Sequence, residues 1–215
     1  MNACFRLVGM IAAAAALAGC KSSGEIVIDQ GVGVTALRTV CPAVGIPDYT
    51  GDITLFRGDA RTADALDVVA SLTNLRSQCD DTGEKVYSTA SFDVFARRTD
   101  TRGARSVEIP YFSTVLRGGS AVVSKRVGTV TVNFADGQER ARATGMAGAY
   151  IDRAEATLPP DIVERLNRKR RAGDTDAAID PLSLPEVRTA LARASFELLV
   201  GFQLSEAQLA YNATR

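Results

Sequence analysis

The chain has 215 residues with 25 basic and 25 acidic side chains, so its formal net charge is zero. A neutral chain has no general electrostatic attraction to nucleic acid or anionic lipid, and we expect no nucleic-acid partner. Histidine is absent, which excludes Ser-His-Asp and Cys-His catalysis, imidazole bases and His-ligated metals. This composition favours a protein that is not an enzyme, and it predicts no metal or cofactor.

The first twenty residues have the layout of a secretory signal peptide. Arg6 supplies a positive charge, an apolar run follows from Leu7 to Ala16, and small residues precede Cys20. The apolar run is too short to cross a bilayer. We therefore interpret residues 1–19 as a signal peptide whose removal leaves a mature chain of single-domain length.

The ending Leu17-Ala18-Gly19-Cys20 resembles the lipobox of bacterial lipoproteins. The resemblance implies cleavage after Gly19, a diacylglyceryl group on the Cys20 sulfur and acylation of the new amino terminus. Two or more acyl chains make a stable membrane anchor, whereas one chain binds reversibly. Lys21 stands where lipoproteins of the inner membrane commonly carry Asp. The resemblance therefore implies an outer-membrane protein that faces the periplasm, with residues 20–40 as its lipidated tether.

Two cysteines remain after Cys4 is assigned to the signal peptide and Cys20 to the lipid. They are Cys41 and Cys79, and an isolated pair in an oxidising compartment is expected to form a disulfide. The alternative is a reactive thiol or a metal pair, but the sequence lacks a Cys-x-x-Cys spacing and a nearby base. The sequence therefore predicts a Cys41–Cys79 disulfide.

From Cys41 to Ile151 the apolar residues alternate with a period of two, and turn residues interrupt them at fairly regular intervals. Pro110 predicts an edge strand or a bulge, and Gly128 predicts a bulge. Asp136-Gly137 is a strong hairpin signal. The predicted strands span residues 52–57, 66–75, 86–97, 107–116, 121–134 and 140–151. The second of them runs directly into Cys79, and residues 25–28 are either a further strand or linker.

Some seven strands with no helical pattern between them predict a mainly β fold. The specific expectation is an antiparallel β-sandwich of the immunoglobulin or fibronectin-III type across residues 41–157. Two features depart from the antibody pattern. The chain has no tryptophan, and the predicted disulfide would join an early strand to the third one.

The pattern changes at residue 158, and residues 158–215 are predicted to form a C-terminal helical appendage. Pro159-Pro160-Asp161 favours a helix start. Ser183-Leu-Pro-Glu186 matches a capping box, and apolar residues at helical spacing predict a helix from Val187 to Phe202. The apolar stripe of that helix must be buried against the sandwich or against another molecule, and we expect it to contact a partner.

Several short elements together resemble a set of envelope lipoproteins of the alphaproteobacterial type. These elements are Cys41-Pro42, the strand ending in Cys79, Pro110-Tyr111-Phe112, Lys125-Arg126-Val127 and the Asp136-Gly137 hairpin. The resemblance covers most of residues 20–151. It supports the architecture and implies no mechanism.

The sharpest charge cluster is Arg168-Lys169-Arg170-Arg171. It could contact the phosphates of lipid headgroups or lipopolysaccharide, or an acidic partner surface. The alternative is the solvated end of a helix, which is favoured because acidic residues follow immediately. The aspartates between residues 48 and 67 lack the spacing of a calcium loop, and we expect them in solvated turns.

Three functions remain open. The leading hypothesis is a lipid-anchored, non-enzymatic module that binds or scaffolds an envelope protein, which an exposed apolar patch would favour. The second is a carrier or sensor of a lipid or small ligand, which needs an apolar cavity. The third is a histidine-free hydrolase of envelope glycans, which needs two facing carboxylates.

Overall fold

The computed structural model describes residues 39–169, 173–174 and 179–214. Over these residues the fold is mainly β, and all of its elements belong to one compact unit. The strands are β1 (Ala43–Gly45), β2 (Asp52–Phe56), β3 (Leu66–Asp80), β4 (Lys85–Arg98), β5 (Arg105–Arg117), β6 (Ala121–Phe134), β7 (Arg140–Asp152) and β8 (Phe196–Phe202). The α-helices of the described residues are α1 (Arg153–Ala156), α2 (Pro160–Asn167), α3 (Pro185–Ala194) and α4 (Glu206–Thr214).

The strands form two four-stranded sheets. Sheet I has the order β1-β8-β5-β6, and sheet II has the order β2-β3-β4-β7. Neighbouring strands are antiparallel except β1 and β8, which are parallel. Alternate side chains of each strand point to one face, and buried side chains of both sheets form one hydrophobic cluster. The prediction of a mainly β protein is therefore confirmed.

β3 runs on past Leu75 to Asp80, in agreement with the predicted continuation into Cys79, and a bulge with Asn74 at φ 53° shifts its register. Two other local predictions for the strands need correction. Gly128 is not a bulge, since it pairs in regular register with Tyr111.

Pro110 lies in β5, which is an interior strand rather than an edge or a bulge. The Pro110 carbonyl accepts a hydrogen bond from the Gln203 N–H just beyond the end of β8. In an antiparallel strand the N–H and C=O of one residue face the same neighbour. The missing N–H would face Gln203, one residue beyond the end of β8, so the hydrogen bonds that pair β5 with β8 itself are retained.

The predicted helix from residue 187 to 202 is wrong in its second half. Helix α3 ends at Ala194, and the following residues form β8 between β1 and β5. Short apolar runs fit both helical and strand spacing, so periodicity alone cannot separate them. Residues 158–215 are consequently not helical throughout, and the apolar side chains of β8 complete the core instead of facing a partner: Phe196, Leu198, Val200 and Phe202.

A disulfide joins Cys41 and Cys79 with their Cα atoms 6.1 Å apart, which is compatible with the predicted pairing. Cys41 precedes β1 of sheet I, and Cys79 lies near the end of β3 of sheet II. The bond therefore links the two sheets. Closing a loop with a sequence separation of 38 contributes about 4 kcal/mol in the chain-entropy description.

Arg98, at the end of β4, is a buried cation whose side chain is only 1% exposed. Its guanidinium lies 5.2 Å from the centre of the Phe134 ring. It also donates four hydrogen bonds to backbone carbonyls, those of Gln138 (2.7 Å), Gly103 (2.8 Å), Thr101 (2.7 Å) and Ala135 (2.8 Å). These carbonyls belong to the two loops that connect β4 to β5 and β6 to β7, so one side chain fixes two of the connections between the sheets.

A second cross-sheet contact lies beside this arginine. Arg105, which begins β5, donates two 2.7 Å hydrogen bonds to the carboxylate of Asp67 on β3. Asp67 is almost fully buried, and the hydrogen bonds from Arg105 hold the pKa of Asp67 below its usual value. The carboxylate therefore stays ionised and joins sheet II to sheet I.

We predict that Arg98→Met lowers the free energy of unfolding by about 3 kcal/mol or more, because four carbonyls in two loops lose the buried side chain that donates to them. Urea-induced unfolding of the full-length chain measures this loss. Arg97→Met is the matched control, since Arg97 is exposed and bonds only Glu139 among the ion pairs of the described residues. The control should cost about 1 kcal/mol or less, and equal losses would contradict the role of Arg98.

Candidate functional site

Two of the residues predicted to carry function can be located, and three cannot. Cys20, Arg170 and Arg171 lie outside the described residues. Arg168 and Lys169 are exposed and directly follow α2. The structure therefore places only two of the four residues of the basic cluster, both of them directly after α2.

Within the described ranges, no group of three or more Cys, Asp or Glu side chains is arranged to hold a metal ion. None of the helices in the same ranges has both the length and the apolar character needed to span a bilayer. The strand surfaces carry the features described below.

Strand β6 is the edge of sheet I and, among the described strands, pairs only with β5. Its second half is anchored by buried inward side chains such as Val130 and Val132. Its first half, residues 121–127, is exposed on both faces. Large aliphatic side chains remain in water there, with exposed fractions of 64%, 54% and 60% for Val122, Val123 and Val127. This half of the strand extends beyond the shared core.

The exposed valines continue onto the neighbouring strand. Val127 lies opposite Phe112 and Val122 lies opposite Leu116 in the β5–β6 ladder, and both β5 side chains are only partly buried. The ammonium of Lys125 stands 5.2 Å from the centre of the Phe112 ring. The first half of β6 with Phe112 and Leu116, here called the β6 edge, therefore combines an open backbone with an apolar strip and cations.

Two aromatic rings, each packed over a glycine, lie close to Gly128, the residue that directly follows residues 121–127 of the β6 edge. Tyr111 covers Gly128 so closely that a Cβ at residue 128 would lie 2.7 Å from the ring. The Tyr111 hydroxyl donates a 2.9 Å hydrogen bond to the Met146 carbonyl on β7. Phe92 covers Gly145 on sheet II in the same way, and its ring meets that of Tyr111 edge-on at 5.0 Å between centroids. The paired rings close the core between the sheets at this level.

Polar and aromatic side chains share the outer face of sheet II. The Asp93 carboxylate accepts hydrogen bonds from Asn74 (2.5 Å) and Arg142 (2.8 Å), and these bonds hold its pKa below the usual value. An aspartate kept ionised in this way cannot supply a proton as a general acid near neutral pH. Arg142 also lies 5.4 Å from the centre of the exposed Phe95 ring.

Two carboxylates line one open hollow at the end of sheet II. Glu84 and Asp152 share it with Lys85 and Arg153. The Asp152 carboxylate already accepts a hydrogen bond from the Ala154 N–H, which caps α1. The hollow thus offers one uncommitted carboxylate at most beside two cations, and this is a poor match to a pair of glycosidase carboxylates.

Comparisons with protein-family models, with curated proteins and with solved structures find no match for this chain. Sequence reasoning placed β6 correctly and noted Lys125 and Arg126, but it did not single out β6 as an edge. The order of strands in a sheet depends on long-range pairing, which the local pattern does not contain.

We predict that Gly128→Ala costs about 1–3 kcal/mol in the free energy of unfolding, because the added methyl must displace the Tyr111 ring and break its hydrogen bond to Met146. Gly83→Ala is the control, since its Cβ would meet only ordinary contacts. Chemical denaturation measures both variants. In a Tyr111→Ala background the cost of Gly128→Ala should vanish, and a cost that persists there would refute the steric explanation.

Proposed function

We propose that this protein is a lipid-anchored module on the periplasmic face of the bacterial outer membrane, where it binds another envelope protein without catalysing a reaction. The lipobox at Cys20 and the lysine that follows it support the anchor and its location. Residues 20–40 are the proposed lipidated tether that precedes the folded unit.

We further propose that the two sheets form a sandwich of the fibronectin-III type. The support is the strand order: β4 neighbours β7 in one sheet, and β5 neighbours β8 in the other. In immunoglobulin-like sandwiches strands B and E, and strands C and F, have the same relation. Strands β3 and β6 then take the positions of A and C′. Strand β1, parallel to β8, occupies the place beside F that G takes in that architecture.

The β6 edge is the structural feature that supports a binding function. An unpaired strand is a template for another chain, and soluble proteins usually shorten, cover or charge such edges. Here 14 residues form the strand, and the exposed first half offers about 25 Å of open backbone. An extended segment can add to such an edge through main-chain hydrogen bonds while its alternate side chains contact the neighbouring surface.

Charge indicates the chemistry of the partner segment. β6 contains Lys125 and Arg126 and no acidic residue. Pairing β6 with β6 of a second copy would bring these cations close together, which disfavours a homodimer through this edge. The occupant that fits is an extended segment of another protein in which acidic residues alternate with apolar ones.

A photoreactive amino acid at Val127 tests this function in intact envelopes. We expect a crosslink to another protein that is lost when Lys125 and Arg126 are both changed to Glu, because the charge complementarity is reversed. The same photoreactive residue at Val163 on α2 controls for proximity, and Arg188→Glu on α3 controls for charge. A crosslink insensitive to the β6 charges, or one only to a second copy of the chain, would overturn the proposal.

The anchor has its own test. We predict that Cys20→Ala abolishes incorporation of labelled fatty acid and leaves an uncleaved or soluble periplasmic species, because the acylated sulfur is lost. Metabolic labelling and membrane fractionation measure this outcome, and Cys4→Ala is the control. A Cys20→Ala protein that still takes up label and fractionates with the outer membrane would show that the anchor lies elsewhere.

A further inference from the structure

A second surface, separate from the β6 edge, has the features of a small-ligand site. A groove of about 380 Å³ lies on the outer face of sheet II, at the lower end of the volumes that hold small ligands. Its lining is mainly apolar and includes two cations but no carboxylate; the residues that matter here are Leu66, Val69, Phe95, Ala141, Arg97 and Arg140.

The two arginines form a like-charge pair across neighbouring strands. Arg97 on β4 and Arg140 on β7 lie directly opposite each other in the ladder, so their side chains share one face of the sheet. Like charges in this position repel and destabilise the pair of strands. Arg97 is compensated by a 2.5 Å ion pair with Glu139. Arg140 forms no ion pair with any carboxylate of the described residues.

The other carboxylates on this face already have partners. Asp93 accepts from Asn74 and Arg142, and Asp52 accepts a hydrogen bond from the hydroxyl of Ser71. Arg142 in turn lies over Phe95, whose ring is 49% exposed beside the groove. The groove thus presents an apolar surface and a cation that lacks an acidic partner within the described chain.

We propose that this groove binds a small anionic amphiphile, specifically a monomeric fatty-acid carboxylate. The carboxylate accepts hydrogen bonds from Arg140 and relieves its repulsion with Arg97, and the aliphatic chain lies against Phe95, Val69 and Leu66. The head group of such a molecule needs a charge-assisted hydrogen bond and its aliphatic chain needs apolar contacts, and the groove offers both. The inference is independent of partner binding at the β6 edge.

Titration calorimetry with the full-length chain tests the site, with decanoate as the probe and 1-decanol as the uncharged analogue. We expect decanoate to bind and decanol to bind at least tenfold more weakly. Arg140→Gln should weaken decanoate binding about tenfold, which is about 1.4 kcal/mol, and bring it close to decanol. Arg188→Gln on α3 is the control and should leave decanoate binding unchanged. Phe95→Ala should weaken both probes alike.

A second measurement separates binding from folding. Without ligand, Arg140→Gln should unfold at the same or a higher urea concentration than the parent chain, because the like-charge pair is removed. Decanoate should raise the melting temperature of the parent chain. Equal binding of decanoate and decanol, or decanoate binding that is insensitive to Arg140→Gln, would overturn the proposal. So would Arg140-dependent binding to phosphatidylglycerol vesicles without binding of decanoate, which would assign the groove to a bilayer surface.

Discussion

The buried guanidinium of Arg98 is the interaction on which the arrangement of the two sheets depends. A cation without an acidic partner is tolerated inside a protein only when hydrogen bonds replace its hydration. Here four carbonyls from two separate loops provide them. The Arg98 N–H also donates a 2.9 Å hydrogen bond to the Glu139 carbonyl. The start of β7 is thereby held against the end of β4, and this contact sets Arg140 opposite Arg97 at the groove.

Contacts join the two sheets near both ends of β3. Arg98 and the Asp67–Arg105 pair join them near its first residue, and the Cys41–Cys79 disulfide joins them near its last. On the β6 side, the aromatic pair of Tyr111 and Phe92 forms the last contact of the core, and the first half of β6 continues past it into solvent. The groove and the β6 edge therefore lie on different sheets, and one molecule can use both.

The local pattern predicted most strands because inward residues repeat every second position over much of each strand between residues 52 and 151. It failed at β8, whose Phe196, Leu198 and Phe202 also fit helical spacing when read with the preceding α3 residues. The role of Arg98 could not be predicted, because a charged residue at the end of a strand normally indicates solvent. The groove depends on the pairing of Arg97 with Arg140, which are distant in the chain, and only the register brings them together.

The position of β8 imposes an order on the assembly of the chain. β1 near the start of the described chain has β8 as its ladder partner, and β8 is the last strand of the described residues. While the polypeptide is being synthesised, β1 has no strand to pair with until residues 196–202 emerge. Sheet II and the β5–β6 hairpin are complete in sequence well before that point. Sheet I is therefore finished last, and an unfinished molecule exposes the edge of β5 that β8 later covers.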